Sequence, residues 1–220
     1  MPILDAAESG PYFDERRAMV EAQLRNRGIH DERVLEAMLR VPRHEFVSEE
    51  YKAQAYEDHP IPIGESQTIS QPFIVADSLQ ALNLRGTESV LEVGTGSGYQ
   101  TALLAVLARV VYSIERHAAL ARSAEAILST IGLSNVKIVV GDGSYGLREF
   151  APYHAILVSA AAPAIPQSLF DQLADDGRMV IPVGPQHSQE LQLVRKREGK
   201  AVVQVIEGCL FVPLIGAEGY

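Results

Sequence analysis

The 220-residue sequence contains no tryptophan, one cysteine and only 6% aromatic residues. A single thiol, Cys209, cannot close an internal disulfide or form a cysteine-only metal site, and it fits a reducing compartment. Basic residues are the minority: 19 Lys and Arg against 28 Asp and Glu leave a formal net charge of −9. Gripping a phosphate backbone needs a basic face, so nucleic acid is not an expected partner. Long charge-free runs are also lacking. The longest, Phe150 to Phe170, carries Pro152, Pro163 and Pro166, so it reads as a buried strand plus loop rather than a membrane span. The opening Met1-Pro2-Ile3-Leu4-Asp5 has no basic region followed by an apolar stretch, and neither end carries a lipidation box. The expectation is a soluble cytoplasmic protein. With 47% hydrophobic and 21% charged residues, the length suits one domain with a full core.

What is present falls into two halves. Residues 1–13 carry no period and read as a loose arm. Asp14 to Arg27 reads as an amphipathic helix stopped by Gly28, and Asp31 caps a second helix that ends at Val41-Pro42. Gln54 to Ser70 shows neither period, only Pro60, Pro62 and Gly64, and a long loop of that kind is usually functional. Gln71-Pro72 opens a helix to about Leu82. From residue 83 onward apolar strands alternate with helices: Ser89–Val93, Tyr99–Ala108, Val110–Ile114, His117–Ile131, Val136–Val140, Ala155–Val158 and Met179–Val183. Leu191–Val194 and Ala201–Leu210 close the chain across the polar turn Arg195–Lys200. Such alternation predicts a doubly wound, mostly parallel α/β sheet with added N-terminal helices. The expected organisation is one domain: helices and a loop over 14–82, then an α/β core over 83–220.

Glu92-Val93-Gly94-Thr95-Gly96-Ser97-Gly98 lies where a strand turns into a helix. Glycines there allow a tight bend and close approach of backbone to ligand. The third glycine comes one residue too early for a dinucleotide site, which disfavours a nicotinamide enzyme. Glu92 suits a cationic ligand better than a pyrophosphate. Glu115 ends the next strand, where a carboxylate meets ribose hydroxyls, and Asp142 follows the third in Gly141-Asp142-Gly143. Each has an ordinary alternative: a favourable charge at a helix start for Glu115, a turn pair for Asp142. Three acids at three successive strand ends suit an adenosine bearing a sulfonium, S-adenosylmethionine.

Several segments, in order, resemble the protein-L-isoaspartate (D-aspartate) O-methyltransferase family. They are Met19-Val20-Glu21 with Gln23-Leu24 and Arg27-Gly28-Ile29, and Val34-Leu35 with Ala37-Met38 and Val41-Pro42-Arg43-His44. Ala55-Tyr56, Asp58, Pro60 and Ile63-Gly64 lead to Gln67-Thr68-Ile69-Ser70-Gln71-Pro72, followed by Leu91 to Gln100, Gly141-Asp142-Gly143, Ala160-Ala161-Ala162-Pro163 and Phe211-Val212-Pro213-Leu214. The likeness runs from about Met19 to Gly219, and the Thr68-Ile69-Ser70 loop with Asp58 ahead of it is its most specific part. The resemblance implies methyl transfer from S-adenosylmethionine to the α-carboxylate of L-isoaspartyl residues, and less readily to D-aspartyl side chains, in damaged proteins and peptides. It implies a Rossmann-like sheet with its last strands placed differently from other methyltransferases. A monomer is the expected state. Its active-site serine maps onto Ser70. Its cofactor contacts map onto Thr68, Ile69, Glu92, Gly94, Thr95, Gly96, Gly98, Glu115, Arg116, Asp142 and Gly143. Three positions depart from the pattern: Ser144 replaces an aromatic, His154 an Asp and Ser159 a Thr. The first is expected to loosen packing near the adenine.

The chain offers no nucleophile–base pair, and this reaction needs none. A peptide carboxylate with a pKa of about 3.5 is ionised at neutral pH. Ser70 is expected to orient that carboxylate, although it is also placed to cap the helix at Gln71-Pro72. Asp58 is expected to anchor the loop, because a carboxylate repels the substrate's. His44, His59 and His154 read as structural and form no metal-ligand pattern, so no metal is expected. Cys209 reads as a small buried apolar residue. Two rivals remain: a methyltransferase for another protein site or a small molecule, and a catalytically silent cofactor-binding module.

Overall fold

A computed structural model describes residues 10–220. The expected arm over 1–13 therefore lies mostly outside the described residues. Helix α1 (Phe13–Ala18) continues through π-helical turns at Met19–Leu24 and a 3-10 turn at Arg25–Arg27, giving the expected first helix as one irregular rod. Helix α2 (Glu32–Arg40) starts where predicted, with the Asp31 side chain accepting the Arg33 N–H at 3.0 Å. Helix α3 (Pro72–Leu82) follows the loop.

That loop is more ordered than its sequence suggests. Strands β1 (Ile61–Gly64) and β2 (Gln67–Ile69) form an antiparallel hairpin that turns through Glu65 and Ser66, both at positive φ. Pro60 and Pro62 hide its alternation, so the expectation of a patternless stretch is corrected here.

The main sheet has seven strands: β3 (Ser89–Val93), β4 (Val110–Glu115), β5 (Val136–Val140), β6 (Tyr153–Val158), β7 (Leu173–Val183), β8 (Gln189–Arg197) and β9 (Lys200–Cys209). Their spatial order is β5-β4-β3-β6-β7-β8-β9, parallel from β5 to β7 and antiparallel thereafter. Helices α4 (Tyr99–Leu107), α5 (Ala118–Ile131) and α6 (Gln167–Asp171) lie between strands. Helix α6 is an addition to the predicted strand and loop over 150–170. The order reverses at β3, where successive crossovers leave first towards β4 and later towards β6. Such a switch point opens a crevice at the carboxyl ends of the strands.

The central strands are buried on both faces of the sheet, with a side-chain period of two, whereas most of β9 is exposed. Val90, Val111, Ala155 and Leu157 face a core built with α2, α3, α4 and the N-terminal helices. Leu91, Val93, Ile114, Ile156 and Val158 face a second core with Leu169 and Leu214. The segment over 14–82 thus shares its interior with the sheet. Among the described residues no helix is long and apolar enough to cross a membrane.

Candidate active site

Two recesses meet at the carboxyl edge of the sheet. The first runs along the glycine turn as a cleft open to solvent at its mouth. Its walls include Thr68, Ile69 and Ser70 on one side and Gly94, Thr95 and Gly96 on another. Glu115, Arg116 and Gly143 complete nine of the predicted site residues brought together. The second recess is walled by Pro60, Gln71, Ile74 and Glu207 to Phe211, and shares Thr68, Ser70, Ser159 and Val212 with the first. Ser70 therefore stands at the junction.

The Ser70 hydroxyl makes no hydrogen bond among the described residues, so it is available to a ligand. Its expected alternative duty, capping α3, falls to another residue. Asp58 accepts the Phe73 N–H at 3.1 Å and pairs through its other oxygen with Arg27, whose guanidinium lies 3.7 Å from the Phe73 ring centre. Asp58 thus anchors the loop, as its charge suggested.

Glu115, 5% exposed, accepts the Gly96 N–H at 2.9 Å on one oxygen and the His117 N–H at 2.8 Å on the other. A carboxylate has about four acceptor positions, so capacity remains for hydroxyl groups of a nucleoside. The turn itself is a close cradle: Gly94 has φ +94°, and a Cβ there would stand 3.4 Å from Ser159 Cβ. A carboxylate beside bare backbone in a partly apolar cleft fits an adenosyl cofactor.

Three predicted contacts lie outside the cleft. Glu92 is wholly buried beneath the turn, because strand parity puts it on the face shared with Val90. It accepts hydrogen bonds from Thr101 (2.5 Å), Ser113 (2.6 Å) and Gln100 (3.3 Å), and burial raises its pKa to about 7. Its expected role against a cationic ligand is replaced by support of the turn, since Ser113 also bonds Thr95 at 2.6 Å. Gly98 begins α4 at φ +89°, with its backbone close against Ala124 of α5. Asp142 faces the C-terminal segment. Burial opposes its charge, but the Ser144 hydroxyl and the N–H groups of Ala217 and Ser144 hold its pKa below the usual range.

Ser144 departs from its expected effect in the same way. It is buried, its hydroxyl accepts the Glu218 N–H at 3.1 Å, and it does not line the cleft. Ser159 accepts a hydrogen bond from Gln100, and exposed His154 accepts the Ser89 N–H at 3.1 Å. His44 stays structural, buried against the Tyr56 hydroxyl at 2.7 Å with its pKa lowered by burial. Half-buried Cys209 ends β9 and lines the second recess, where burial raises its thiol to about 11.

Other cleft residues received no role from the sequence: His117, Ala160 and Val212 to Ile215. The C-terminal segment reaches the site because Ala161 N–H bonds Val212 O (2.8 Å) and Leu214 N–H bonds Ala161 O (2.7 Å). Arg43 also went unassigned. It lies behind Ser70 and donates to its carbonyl at 2.8 Å.

Comparison with known proteins gives a consistent set of relatives. Residues 14–219 match the profile of the Protein-L-isoaspartate(D-aspartate) O-methyltransferase (PCMT) family. A Protein-L-isoaspartate O-methyltransferase of Koribacter versatilis is 53% identical over 206 residues, 94% of this chain and 93% of the relative. One of Methanoculleus marisnigri is 52% identical over 213 residues, 97% of each. A solved protein-L-isoaspartate O-methyltransferase superposes with TM-score 0.84 at 29% identity, covering 93% of this chain and 67% of the other. A Plasmodium falciparum structure described as such an enzyme in complex with S-adenosyl-L-homocysteine gives TM-score 0.80 at 26% identity, covering 91% and 98%.

Proposed function

The chain belongs to the protein-L-isoaspartate(D-aspartate) O-methyltransferase family, and on that premise we propose how its own residues carry the family's reaction. The protein is an S-adenosylmethionine-dependent enzyme that methylates the α-carboxylate of isoaspartyl residues in proteins and peptides. Bound, S-adenosylmethionine supplies a methyl group on a positively charged sulfur.

The observation that carries the site assignment is the free Ser70 hydroxyl where the two recesses join. In this reading the recess along the glycine turn takes the cofactor. Glu115 accepts from ribose hydroxyls, the Gly94–Gly96 backbone lies against the ligand, and Thr68 and Ile69 close the side towards the substrate. The second recess takes the peptide. Ser70 donates to the substrate carboxylate and fixes which oxygen faces the methyl group. No group has to remove a proton, because the nucleophile is already ionised. The protein's task is alignment and exclusion of water. Asp58 serves by holding the start of α3, and with it Ser70, in place.

We further read the chain as a single domain acting as a cytoplasmic monomer on damaged proteins, with no nucleic-acid partner. The interior shared between 14–82 and the sheet supports the first point, and the net charge of −9 the last. Transfer from labelled S-adenosylmethionine to paired peptides, differing only in Asp against isoAsp, tests the activity. Label on the isoAsp member alone is expected, and equal labelling of both overturns it.

A further inference from the structure

Arg43 is one of the largest fully buried side chains, at 0% exposure. It follows Pro42 in a short 3-10 turn (Arg43–Phe46), and its guanidinium contacts backbone and an aromatic face. Nε donates to Ala55 O at 2.7 Å, one terminal nitrogen donates to Ser70 O at 2.8 Å, and the group lies 4.9 Å from the Tyr99 ring centre. The other terminal nitrogen, Nη1, is buried with no hydrogen-bond partner among the described residues. Asp58, the acidic side chain that acts on Arg43, is already engaged by Arg27 and the Phe73 N–H. Burial lowers the pKa of Arg43 to about 10, which leaves it charged at neutral pH. Asp58 attracts the cation but shares its charge with Arg27, and two carbonyls and a ring face do not neutralise the rest, so Arg43 keeps a buried positive charge that is only partly balanced.

We propose that Arg43 is a positioning residue for the substrate carboxylate: it fixes the Ser70 backbone from behind and supplies the buried positive charge that the incoming carboxylate answers. This rests on the reading of Ser70 given above. Covalent geometry keeps the Ser70 hydroxyl within about 5 Å of its own carbonyl oxygen, so the guanidinium nitrogen lies within about 8 Å of the hydroxyl. A carboxylate hydrogen-bonded there lies within about 10 Å of that nitrogen. At an effective dielectric of about 20, that separation corresponds to roughly fifteenfold in affinity. The charge is screened from solvent by Ala55, Tyr99 and the Ser70 loop, so its pull persists where surface charges are screened out.

The test is a charge cycle between enzyme and ligand with S-adenosylhomocysteine present, so that neither turnover nor a sulfonium contributes. One ligand is a labelled isoaspartyl peptide, and the other is the same peptide with the α-carboxylate replaced by a carboxamide. Wild type is expected to bind the carboxylate at least about tenfold more tightly than the carboxamide. Arg43→Gln lowers that ratio by about tenfold, and Arg43→Lys, which keeps the charge, retains most of it. Equal weakening of both peptides in Arg43→Gln overturns the proposal, because a purely structural role does not distinguish the two ligands. Should Arg43→Gln fail to fold, the wild-type ratio measured from about 50 to about 500 mM salt decides. A change of less than about twofold supports the buried charge, and a collapse of the ratio overturns it. If wild type does not distinguish Asp from isoAsp in methylation, the underlying reading fails. If it does but the cycle is flat, only the role of Arg43 falls.

Discussion

Replacing Asp58 by alanine removes two contacts that fix the start of α3. The first is the acceptor for the Phe73 N–H at 3.1 Å, in effect a helix cap supplied from a distant segment. Loss of a cap typically costs about 1 kcal/mol. The second is the pair with Arg27, whose partners are 22% and 43% exposed at Asp58 and Arg27. Solvent limits such a pair to about 0.5 kcal/mol. The sum is about 1.5 kcal/mol, which lowers the melting temperature by roughly 3–6 °C for a chain of this size. Asp58→Asn keeps an acceptor for Phe73 and loses only the ion pair, so its loss is about one third as large. Because Ser70 lies immediately before α3, the KM for an isoaspartyl peptide rises in Asp58→Ala more than in Asp58→Asn. Calorimetry and methyl-transfer kinetics on the three proteins read these quantities. Equal destabilisation by both variants, or a melting temperature for Asp58→Ala within about 1 °C of wild type, refutes the capping argument.

Other outcomes follow from the same geometry. Ser70→Ala removes one hydrogen bond to a charged group, worth about 1.5–3 kcal/mol; kcat/KM for isoaspartyl peptide falls roughly 10- to 150-fold while calorimetric affinity for S-adenosylhomocysteine holds, and unchanged kinetics sinks the assignment. Gly98→Ala requires an alanine at φ +89° with its Cβ 3.0 Å from that of Ala124, so strain and overpacking destabilise it by about 2–4 kcal/mol, read by denaturant titration. Glu92 has a folded pKa raised to about 7 against 4.5 unfolded. The folded state therefore binds more protons between these values, and wild-type stability from this group declines as pH rises through that window. Glu92→Gln has no such titration, so its stability relative to wild type improves between pH 5 and 8, by up to about 3 kcal/mol; a pH-independent difference contradicts the buried-carboxyl account.

Much of the fold was legible because strands β3 to β5 are short, apolar and separated by well-marked helices. Val136–Val140 is found as predicted, and Ser89–Val93 likewise. The β7 strand was legible only from Met179, since its first half carries Asp175, Asp176 and Gly177, which read locally as a turn. The hairpin at Ile61–Ile69 was hidden by Pro60 and Pro62, and its order comes from contacts such as Ile63 against the glycine turn. Nine cleft residues followed from motif and strand end, but Glu92 was misplaced for a reason present in the sequence. It is two residues from Val90 and one from Leu91 and Val93, so parity directs it into the core face away from the cleft's mouth. Arg43 was quoted in a motif without a role. Nothing local distinguishes a surface arginine from one whose partners are the carbonyls of Ala55 and Ser70.

The half-buried position of Ser70 between two recesses has a consequence for the molecules this enzyme serves. With Ser70 in its proposed role, a target carboxylate has to enter a recess, which a flexible stretch of a client does more readily than a rigid one. An isoaspartyl residue locked in a client's helix or sheet must first be released by local unfolding, whose free energy varies widely across any structure. The pace of repair is then set by the client's own fluctuations as much as by the enzyme. Damage in mobile loops is reached first, and damage in rigid cores waits for the client to open.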